Sequence, residues 1–264
     1  METCILVLIK NEQEYLDDFI TYHLNLGIDH IFFLEDYLSK PHDFITMKYD
    51  EVTLIKASSF IDNEINEKHN QVVISKLCLR HIKENYDFEW CFVIDSDEFL
   101  TLEDSNTTLS EVMAQFKNYD SVILQWRNYG ANGLVFKPDY SAKHITEIFT
   151  KETKTDYRCD YTTKVAYNLK IFNVDNFSHL HFTGGNSKWC KTDFSQDMEK
   201  KVYDKLYIRH YITKSLEEYI VKIRSKCFEK GYRRTSLFFY LNPEMEEKKD
   251  ELIASIINKE KTYS

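Results

Sequence analysis

Apolar runs of strand length alternate with amphipathic stretches in the first hundred residues of the chain. Residues 4–9 are continuously apolar, as in a buried strand, and residues 11–27 then place apolar side chains on one face of a helix. Asn11 is the predicted N-cap of this helix, and Gly27 is its predicted stop. Further strands are predicted at 30–34, 52–55 and 90–94, with a long helix at 66–85. This alternation is typical of an α/β protein with a mixed, mostly parallel central sheet flanked by helices.

The pattern becomes less regular after residue 100. It predicts a helix at 109–116, strands at 121–126 and 163–172, a strand-like segment before His181, and helices at 216–228 and 245–257. The second half therefore has α+β character. With 264 residues, 43% hydrophobic content, and only 6 Gly and 3 Pro, the chain is long enough for a large core and poor in flexible linkers. We expect a single domain over residues 1–264.

Composition narrows the classes of partner and compartment. A net charge of −9 argues against general nucleic-acid binding, which needs a basic surface to neutralise phosphates. The 6 cysteines show no CxxC spacing, so we expect no zinc site and a reducing compartment. The N-terminus carries neither a signal-peptide pattern nor an apolar run of membrane-spanning length. These features predict a cytoplasmic protein.

Polar side chains follow three of the predicted strands. Lys10, Asn11 and Glu12 follow the first strand, Glu35 and Asp36 the second, and Asp95, Ser96, Asp97 and Glu98 the strand at 90–94. In open α/β sheets, ligands bind beyond the carboxyl ends of the strands, where these residues converge. Clustered carboxylates repel one another, so they require either a counter-cation or a solvated turn. The D-x-D pattern of Asp95 and Asp97 suits Mg²⁺ or Mn²⁺ shared with a diphosphate; a solvated turn is the alternative.

Several stretches, taken together and in order, resemble the glycosyltransferases of the family 2 and family 92 group. They are KNEQEYLDDFITYHLNLGIDHIFFLEDYLSK at 10–40, Gln71, WCFVIDSDEFL at 90–100, WRNYGANG at 126–133 and RHYITKSLEEYIVK at 209–222. The match spans roughly residues 5–230. That ordered series is far more specific than D-x-D alone.

The resemblance implies a glycosyltransferase A-type (Rossmann-like) fold and a nucleoside-diphosphate sugar donor, most often a uridine one. It further implies a glycan or glycolipid acceptor and a divalent metal, Mn²⁺ or Mg²⁺. Residues 1–105 would bind the nucleotide sugar, 106–235 would bind the acceptor and complete the metal site, and 236–264 would form a C-terminal helical segment. Lys10, Asn11 and Glu12 fall in the donor-side loop, Asp36 near the base or ribose, and Asp95 and Asp97 on the metal, with Asp97 the better ligand.

Two further stretches offer partners for the metal and the diphosphate. HLHFTGGNSKW at 179–189 is similar to an element of family 8 glycosyltransferases, which implies His181 as a metal ligand and Lys188 on the diphosphate. His210 and Lys214 are the competing pair. The structural alternative is a turn with a packed histidine for the first stretch and a solvated helix face for the second. We assign His181 to the metal, and His210 with Lys214 to the diphosphate.

An inverting transfer also needs a carboxylate that takes a proton from the acceptor hydroxyl. Glu98, Asp160 and Asp193 are the candidates, and the sequence does not choose among them. A basic segment at 222–234 is either a solvated helix face or a contact for an anionic acceptor or a membrane surface.

Two other functional classes fit parts of the pattern. FVIDSDEF can be read as a haloacid-dehalogenase phosphatase motif with Asp95 as nucleophile, but Phe99 stands where that motif needs Thr or Val. A non-catalytic protein that binds nucleotide sugars or carbohydrate would carry the same motifs. Activity measured with and without manganese separates this binding protein from a metal-dependent transferase.

Overall fold

The structure is a computed structural model that describes residues 1–9, 15–36, 46, 48–60, 71–153, 162–181, 187–198, 200–226 and 231–262, without the side chains of 224–226, 231–234 and 260–262. The strands are β1 (Thr3–Ile9), β2 (His30–Glu35), β3 (Val52–Lys56), β4 (Trp90–Asp95), β5 (Glu98–Leu102), β6 (Ser121–Asn128), β7 (Thr163–Asn168), β8 (Trp189–Lys191) and β9 (Leu206–His210). The helices are α1 (Leu16–Leu26), α2 (Gln71–Asn85), α3 (Leu109–Ala114), α4 (Ile145–Ile148), α5 (Leu216–Lys226), α6 (Gly231–Leu241) and α7 (Lys249–Thr262).

The strands form one mixed sheet in the order β3-β2-β1-β4-β7-β6-β9-β5, with β8 beside β6. Strands β3, β2, β1 and β4 are parallel, whereas β7 runs antiparallel to both of its neighbours. The residues of β1, β2 and β4 are almost entirely buried, which explains why their sequences are continuous apolar runs rather than alternating ones. The predicted α/β class with a mixed sheet is confirmed.

The chain divides into two compact units. The first unit comprises residues 1–126 and 161–209, and its core includes α2 side chains such as Cys78, Leu79 and Ile82, clustered with apolar residues of β1, β2 and β4. The second unit comprises residues 127–160 and 210–264, and its core includes Leu216, Phe238 and Ile256 from α5, α6 and α7. The predicted roles of 1–105, 106–235 and 236–264 are functional assignments and stay predictions.

Several predicted elements differ from the structure. Strand β7 ends at Asn168, and the segment before His181, predicted as strand-like, instead contains a 3₁₀ helix at Val174–Asn176. The side chain of Asn173 accepts a hydrogen bond from the backbone of Asp175 and so favours this local turn over a strand. The predicted helix at 245–257 begins later, because Pro243–Lys248 is a 3₁₀ helix and α7 starts at Lys249.

Other expectations concern the first helix and the compartment. Gly27 ends α1 in the left-handed conformation, as predicted, with φ of 102°; Asn11 lies outside the described residues.

The cysteines Cys4, Cys78, Cys91 and Cys190 are free and buried. Over the described ranges, no helix has both the length and the apolar character needed to cross a membrane. The cytoplasmic location stays a prediction.

Candidate functional site

The carboxyl ends of β2 and β4 lie at the same edge of the sheet. Asp95 pairs with Leu8 of β1, and Leu8 pairs in turn with Leu34 of β2, so Asp36 follows at that edge. The backbone N–H of Asp36 donates to the carbonyl of Ile9 at 3.0 Å. Two strand spacings separate β2 from β4, about 10 Å. Lys10, Asn11 and Glu12 lie outside the described residues.

The carboxylate turn, which we define as residues 95–98, is mostly buried. Ser96 and Asp97 connect β4 to β5, and Asp97 is only 4% exposed. Glu98 is fully buried, and its Oε2 accepts the backbone N–H of Asp95 at 2.9 Å. The side chain of Asp95, by contrast, is 46% exposed. The turn is therefore not a solvated loop, and Asp95 is its most accessible carboxylate.

Lys164 places a buried cation beside this turn. It lies on β7, the antiparallel neighbour of β4, and its side chain is only 1% exposed. Its Nζ is 2.8 Å from Oδ2 of Asp95 and 3.6 Å from Oε2 of Glu98. Burial alone would lower the pKa of the Lys164 ammonium, but the nearby carboxylates outweigh burial and raise it. Lys164 therefore carries its charge beside the turn.

The sequence analysis missed Lys164. The available signal was a lysine within TKVAYN, a strand whose residues are all buried. A buried lysine requires a charged partner, and the preceding carboxylates were the evident source. The pairing itself depends on the antiparallel register of β4 and β7, which the sequence does not reveal.

Glu98 lies at the interior of this group. Burial raises the pKa of its carboxyl well above the ordinary value, although Lys164 acts in the opposite direction. Its Oε1 is buried and has no hydrogen-bond partner among the described residues. A general base must reach the hydroxyl of the acceptor, and Glu98 is fully buried in this structure. The geometry favours a role for Glu98 in holding the turn.

His181 is held at the same edge of the sheet by Thr163, the first residue of β7. Its Nδ1 donates to the Thr163 carbonyl at 2.9 Å, and the Thr163 hydroxyl donates to the His181 carbonyl. Because a carbonyl oxygen only accepts, the lone pair of the neutral ring lies on Nε2. Burial lowers the pKa of His181, and the charge of Lys164 lowers it further. A neutral imidazole oriented by a backbone carbonyl is the usual state of a metal-binding histidine.

The residues fit a divalent ion by their chemistry. Carboxylate oxygens and a neutral imidazole are suitable ligands for Mn²⁺, and carboxylates suit Mg²⁺. Within the described ranges, no group of three His, Cys, Asp or Glu side chains is already arranged to hold a metal ion. The ammonium of Lys164 instead provides the positive charge at Asp95.

Two residues of α1 anchor the chain just after the carboxylate turn. The Tyr22 hydroxyl donates to the Leu100 carbonyl at 2.9 Å, and Nε2 of His23 accepts the Leu100 N–H at 3.2 Å. Nδ1 of His23 is hydrogen-bonded to the carbonyl of Phe19 at 2.8 Å. His23 is fully buried. The TYH and DEFL stretches of the sequence are thus joined through one backbone unit of β5.

Lys188, another predicted residue of the first unit, is not part of this edge. Lys188 donates its backbone N–H to Asp120, just before β6, and register places this end of β6 level with the start of β4. Five residues of β4, about 16 Å, separate that end from Asp95. The structure therefore does not bring Lys188 to the carboxylate turn.

Asp193 lies in a turn after β8. Burial would raise the pKa of its carboxyl, but hydrogen bonds from Lys200 and Ser195 outweigh burial and lower the pKa to about 2. A carboxylate with so low a pKa is a weak general base near neutral pH. Asp160, the third predicted base, lies outside the described residues.

His210 and Lys214 belong to the second unit. Nδ1 of His210 is hydrogen-bonded to Oδ1 of Asn128 at 2.9 Å. Lys214 is 8% exposed. Its φ of 49° lies in the left-handed region, which is uncommon for a lysine. The next residue, Ser215, shares a reciprocal pair of hydrogen bonds with Glu218 in the first turn of α5. Part of the KSLEE pattern is thus explained by helix capping.

The YGANG stretch of the second unit borders a polar cavity of about 280 Å³. Oδ1 of Asn242 accepts the backbone N–H of Ala131 at 2.6 Å. A Cβ added to Gly130 would lie 2.5 Å from that same oxygen, so the approach of the two segments requires glycine. The cavity is lined by Gly130, Asn132, Lys151, Glu152, Thr153, Leu241, Asn242, Pro243 and Glu244. Amide and charged side chains of this kind can bind sugar hydroxyls.

Comparisons with known proteins give one family match. The family model for glycosyltransferase family 92 matches residues 1–251. No curated protein matches the sequence. Among solved structures, the chain is similar to HddC from Yersinia pseudotuberculosis, with 11% identity, a TM-score of 0.42, and coverage of 80% of this chain and 93% of that one.

Two further structures show comparable similarity. A197 from STIV shares 11% identity at a TM-score of 0.36, over 80% of this chain and 86% of its own. A mycobacterial protein shares 11% identity at a TM-score of 0.38, over 64% of this chain and 54% of its own. Structural similarities this low carry no argument about the fold or the activity.

Proposed function

Because the chain belongs to glycosyltransferase family 92, we propose that it is a metal-dependent enzyme that transfers a sugar. The donor is a nucleoside-diphosphate sugar, with uridine as the expected nucleoside. The acceptor is a hydroxyl of a glycan or glycolipid. Glycosyltransferase activity implies a nucleotide-sugar donor and a glycan acceptor. Membership of this family favours a transferase over the phosphatase and the non-catalytic binding protein. An A-type fold, with the nucleotide bound beyond the carboxyl ends of β1, β2 and β4, is part of the proposal.

The observation that carries the proposal is the carboxylate turn at the edge of the sheet. Asp95 is exposed there, while Asp97 and Glu98 are buried behind it. Asp95, Asp97 and His181 would hold Mn²⁺ or Mg²⁺. When bound, such an ion neutralises charge on the diphosphate leaving group.

The other residues of the edge have supporting roles in the proposal. Asp36 lies two strands from Asp95, which suits a contact with the nucleoside rather than with the metal. Glu98 accepts the backbone N–H of Asp95 and so fixes the end of β4. Glu98 is buried and Asp193 has a low pKa, so we name neither of them as the general base that takes the proton of the acceptor hydroxyl.

The second unit is proposed to contact the diphosphate and the acceptor. The contact of His210 and Lys214 with the diphosphate stays a prediction from the sequence. The polar cavity beside Gly130 has a lining that suits sugar hydroxyls, which supports a role in binding the acceptor. Contact of the basic segment at 222–234 with an anionic acceptor or a membrane surface also stays a prediction.

A panel of nucleotides tests the proposal without knowledge of the acceptor. The thermal unfolding midpoint would be measured with uridine, guanosine, adenosine and cytidine diphosphates, each in Mn²⁺ and in chelator. We expect one diphosphate to raise the midpoint selectively in Mn²⁺, and Asp95→Asn to abolish that increase. Equal midpoints throughout the panel, in the wild-type protein, would contradict the proposal.

A further inference from the structure

The ammonium of Lys164 lies where a cation bound to Asp95 would be expected. Its Nζ is 2.8 Å from Oδ2 of Asp95, within a buried region that also contains Asp97 and Glu98. The ammonium thus contacts a turn that contains three carboxyl groups. The arrangement leaves Oε1 of Glu98 buried without a hydrogen-bond partner among the described residues. Among the described residues, at least this carboxyl oxygen of the turn therefore keeps unused acceptor capacity.

We propose that Lys164 is a placeholder cation: its ammonium neutralises the carboxylate turn in the free protein, and a divalent metal ion replaces it at Asp95. This inference rests on the metal site of the proposed function. It adds a residue that competes with the metal, so that the free protein is stable without a bound ion.

Replacement follows from the charges involved. A dication and an ammonium on the same carboxylate repel each other, and in a partly buried site water screens this repulsion poorly. The backbone of β7 is fixed within the sheet, but the lysine side chain has a flexible four-carbon stem. Movement of the side chain is therefore the easier response.

Glu98 gives Lys164 an alternative partner. Its Oε2 is already 3.6 Å from Nζ, so a small movement transfers the ammonium from Asp95 to Glu98. The ammonium then keeps an oxygen partner although it is buried, which avoids the large cost of leaving it without any partner. Asp95 becomes available to the metal, and its exposed side chain allows the ion to enter from solvent.

The Lys164→Met variant separates the two roles of the ammonium, because methionine keeps an unbranched stem and removes the charge. In chelator, we expect this variant to unfold at a lower temperature than the wild-type protein, since the carboxylates lose their cation. Saturating Mn²⁺ should restore most of that loss. Calorimetric titration with Mn²⁺ alone should show affinity about tenfold or more above that of the wild-type protein, because the competing cation is gone.

Lys170→Met provides a matched control. Lys170 lies just beyond β7 and pairs with Asp87 at an exposed position. Its replacement should change neither the affinity for Mn²⁺ nor the stabilisation by Mn²⁺. The comparison separates the effect of one buried ammonium from a general change in net charge.

The outcomes are distinct. Unchanged or weaker Mn²⁺ affinity in Lys164→Met would overturn the proposal, because Lys164 would then not compete with the metal. If Lys164→Met fails to fold in chelator, we expect Mn²⁺ to restore folding; Lys164→Gln, which keeps a polar end, repeats the test. Failure of both variants to fold in Mn²⁺ would also overturn it, since the ion could not replace the ammonium.

The results distinguish a failure of the placeholder role of Lys164 from a failure of the proposed function. Tighter Mn²⁺ binding by Lys164→Met, with no nucleoside diphosphate bound by either protein, would support the placeholder and contradict the sugar donor. Selective diphosphate binding in Mn²⁺, with equal Mn²⁺ affinity in both proteins, would do the reverse.

Discussion

Nε2 of His23 accepts the backbone N–H of Leu100 at 3.2 Å, although the two residues are 77 positions apart. Both ring nitrogens of this buried histidine are therefore used, since Nδ1 is hydrogen-bonded to the carbonyl of Phe19. The interaction ties α1 to the strand that follows the carboxylate turn. It gives a structural reason for the histidine in the TYH stretch.

Replacement of His23 by Leu should destabilise the protein. The N–H of Leu100 would stay buried without its acceptor, at a cost of about 2 kcal/mol in the free energy of unfolding. Urea unfolding measures this change. Tyr22→Phe, which removes only the hydroxyl that donates to the Leu100 carbonyl, should cost about 1 kcal/mol. Equal stability of His23→Leu and the wild-type protein would contradict the anchoring role.

His181→Ala should raise the Mn²⁺ concentration needed for half-maximal stabilisation by the nucleoside diphosphate. The expected increase is about tenfold or more, as for loss of a metal ligand or of its orienting partner. The measurement is a titration of the thermal midpoint with Mn²⁺. His81→Ala, at a histidine on α2, is the control and should leave the titration unchanged.

Lys214→Ala should affect the diphosphate rather than the metal, as expected from the sequence-based assignment of Lys214 to the diphosphate. It should weaken diphosphate binding and lower turnover, while the Mn²⁺ requirement stays close to that of the wild-type protein. Lys143→Ala, at an exposed position of the same unit, is its control. A Mn²⁺ shift in Lys214→Ala with none in His181→Ala would exchange the two roles.

Asp36→Ala should weaken binding of the nucleoside diphosphate without altering the Mn²⁺ requirement. The reason is its position two strands, about 10 Å, from Asp95. Calorimetry at several Mn²⁺ concentrations distinguishes the two effects. Asp50→Ala, just before β3 at an exposed position, should behave as the wild-type protein. Loss of the Mn²⁺ response in Asp36→Ala would place Asp36 at the metal instead.

Gly130→Ala should destabilise the protein by about 1–3 kcal/mol, because the new Cβ would lie 2.5 Å from Oδ1 of Asn242. The hydrogen bond from Ala131 to that oxygen would be strained as well. In an Asn242→Ala background the same substitution should cost less, since the obstructing side chain is gone. Additive costs in the double variant would show that the two residues are independent.

The parts of the fold that depend on local pattern were predictable. Continuous apolar runs identify β1, β2 and β4, and Gly27 has the left-handed conformation expected at a helix end. The segment before His181 was not predictable from apolar content, because the capping side chain of Asn173 determines its local turn.

The candidate site was predictable only in part. Asp36 and Asp95 share an edge because both follow strands of one parallel sheet, and this follows from chain order. The pairing of Lys164 with Asp95 depends on the antiparallel β7, which chain order does not determine. For the same reason Lys188, although close to His181 in sequence, lies toward the opposite end of the sheet.

The most direct measurement is calorimetric titration of the wild-type protein with uridine diphosphate, in Mn²⁺ and in chelator. We expect binding in Mn²⁺ that weakens by about tenfold or more in chelator, because Asp95 and its neighbours act on the diphosphate through a divalent ion. Asp95→Asn should bind equally weakly under both conditions. Equal affinity of the wild-type protein in Mn²⁺ and in chelator would contradict a metal-dependent diphosphate site.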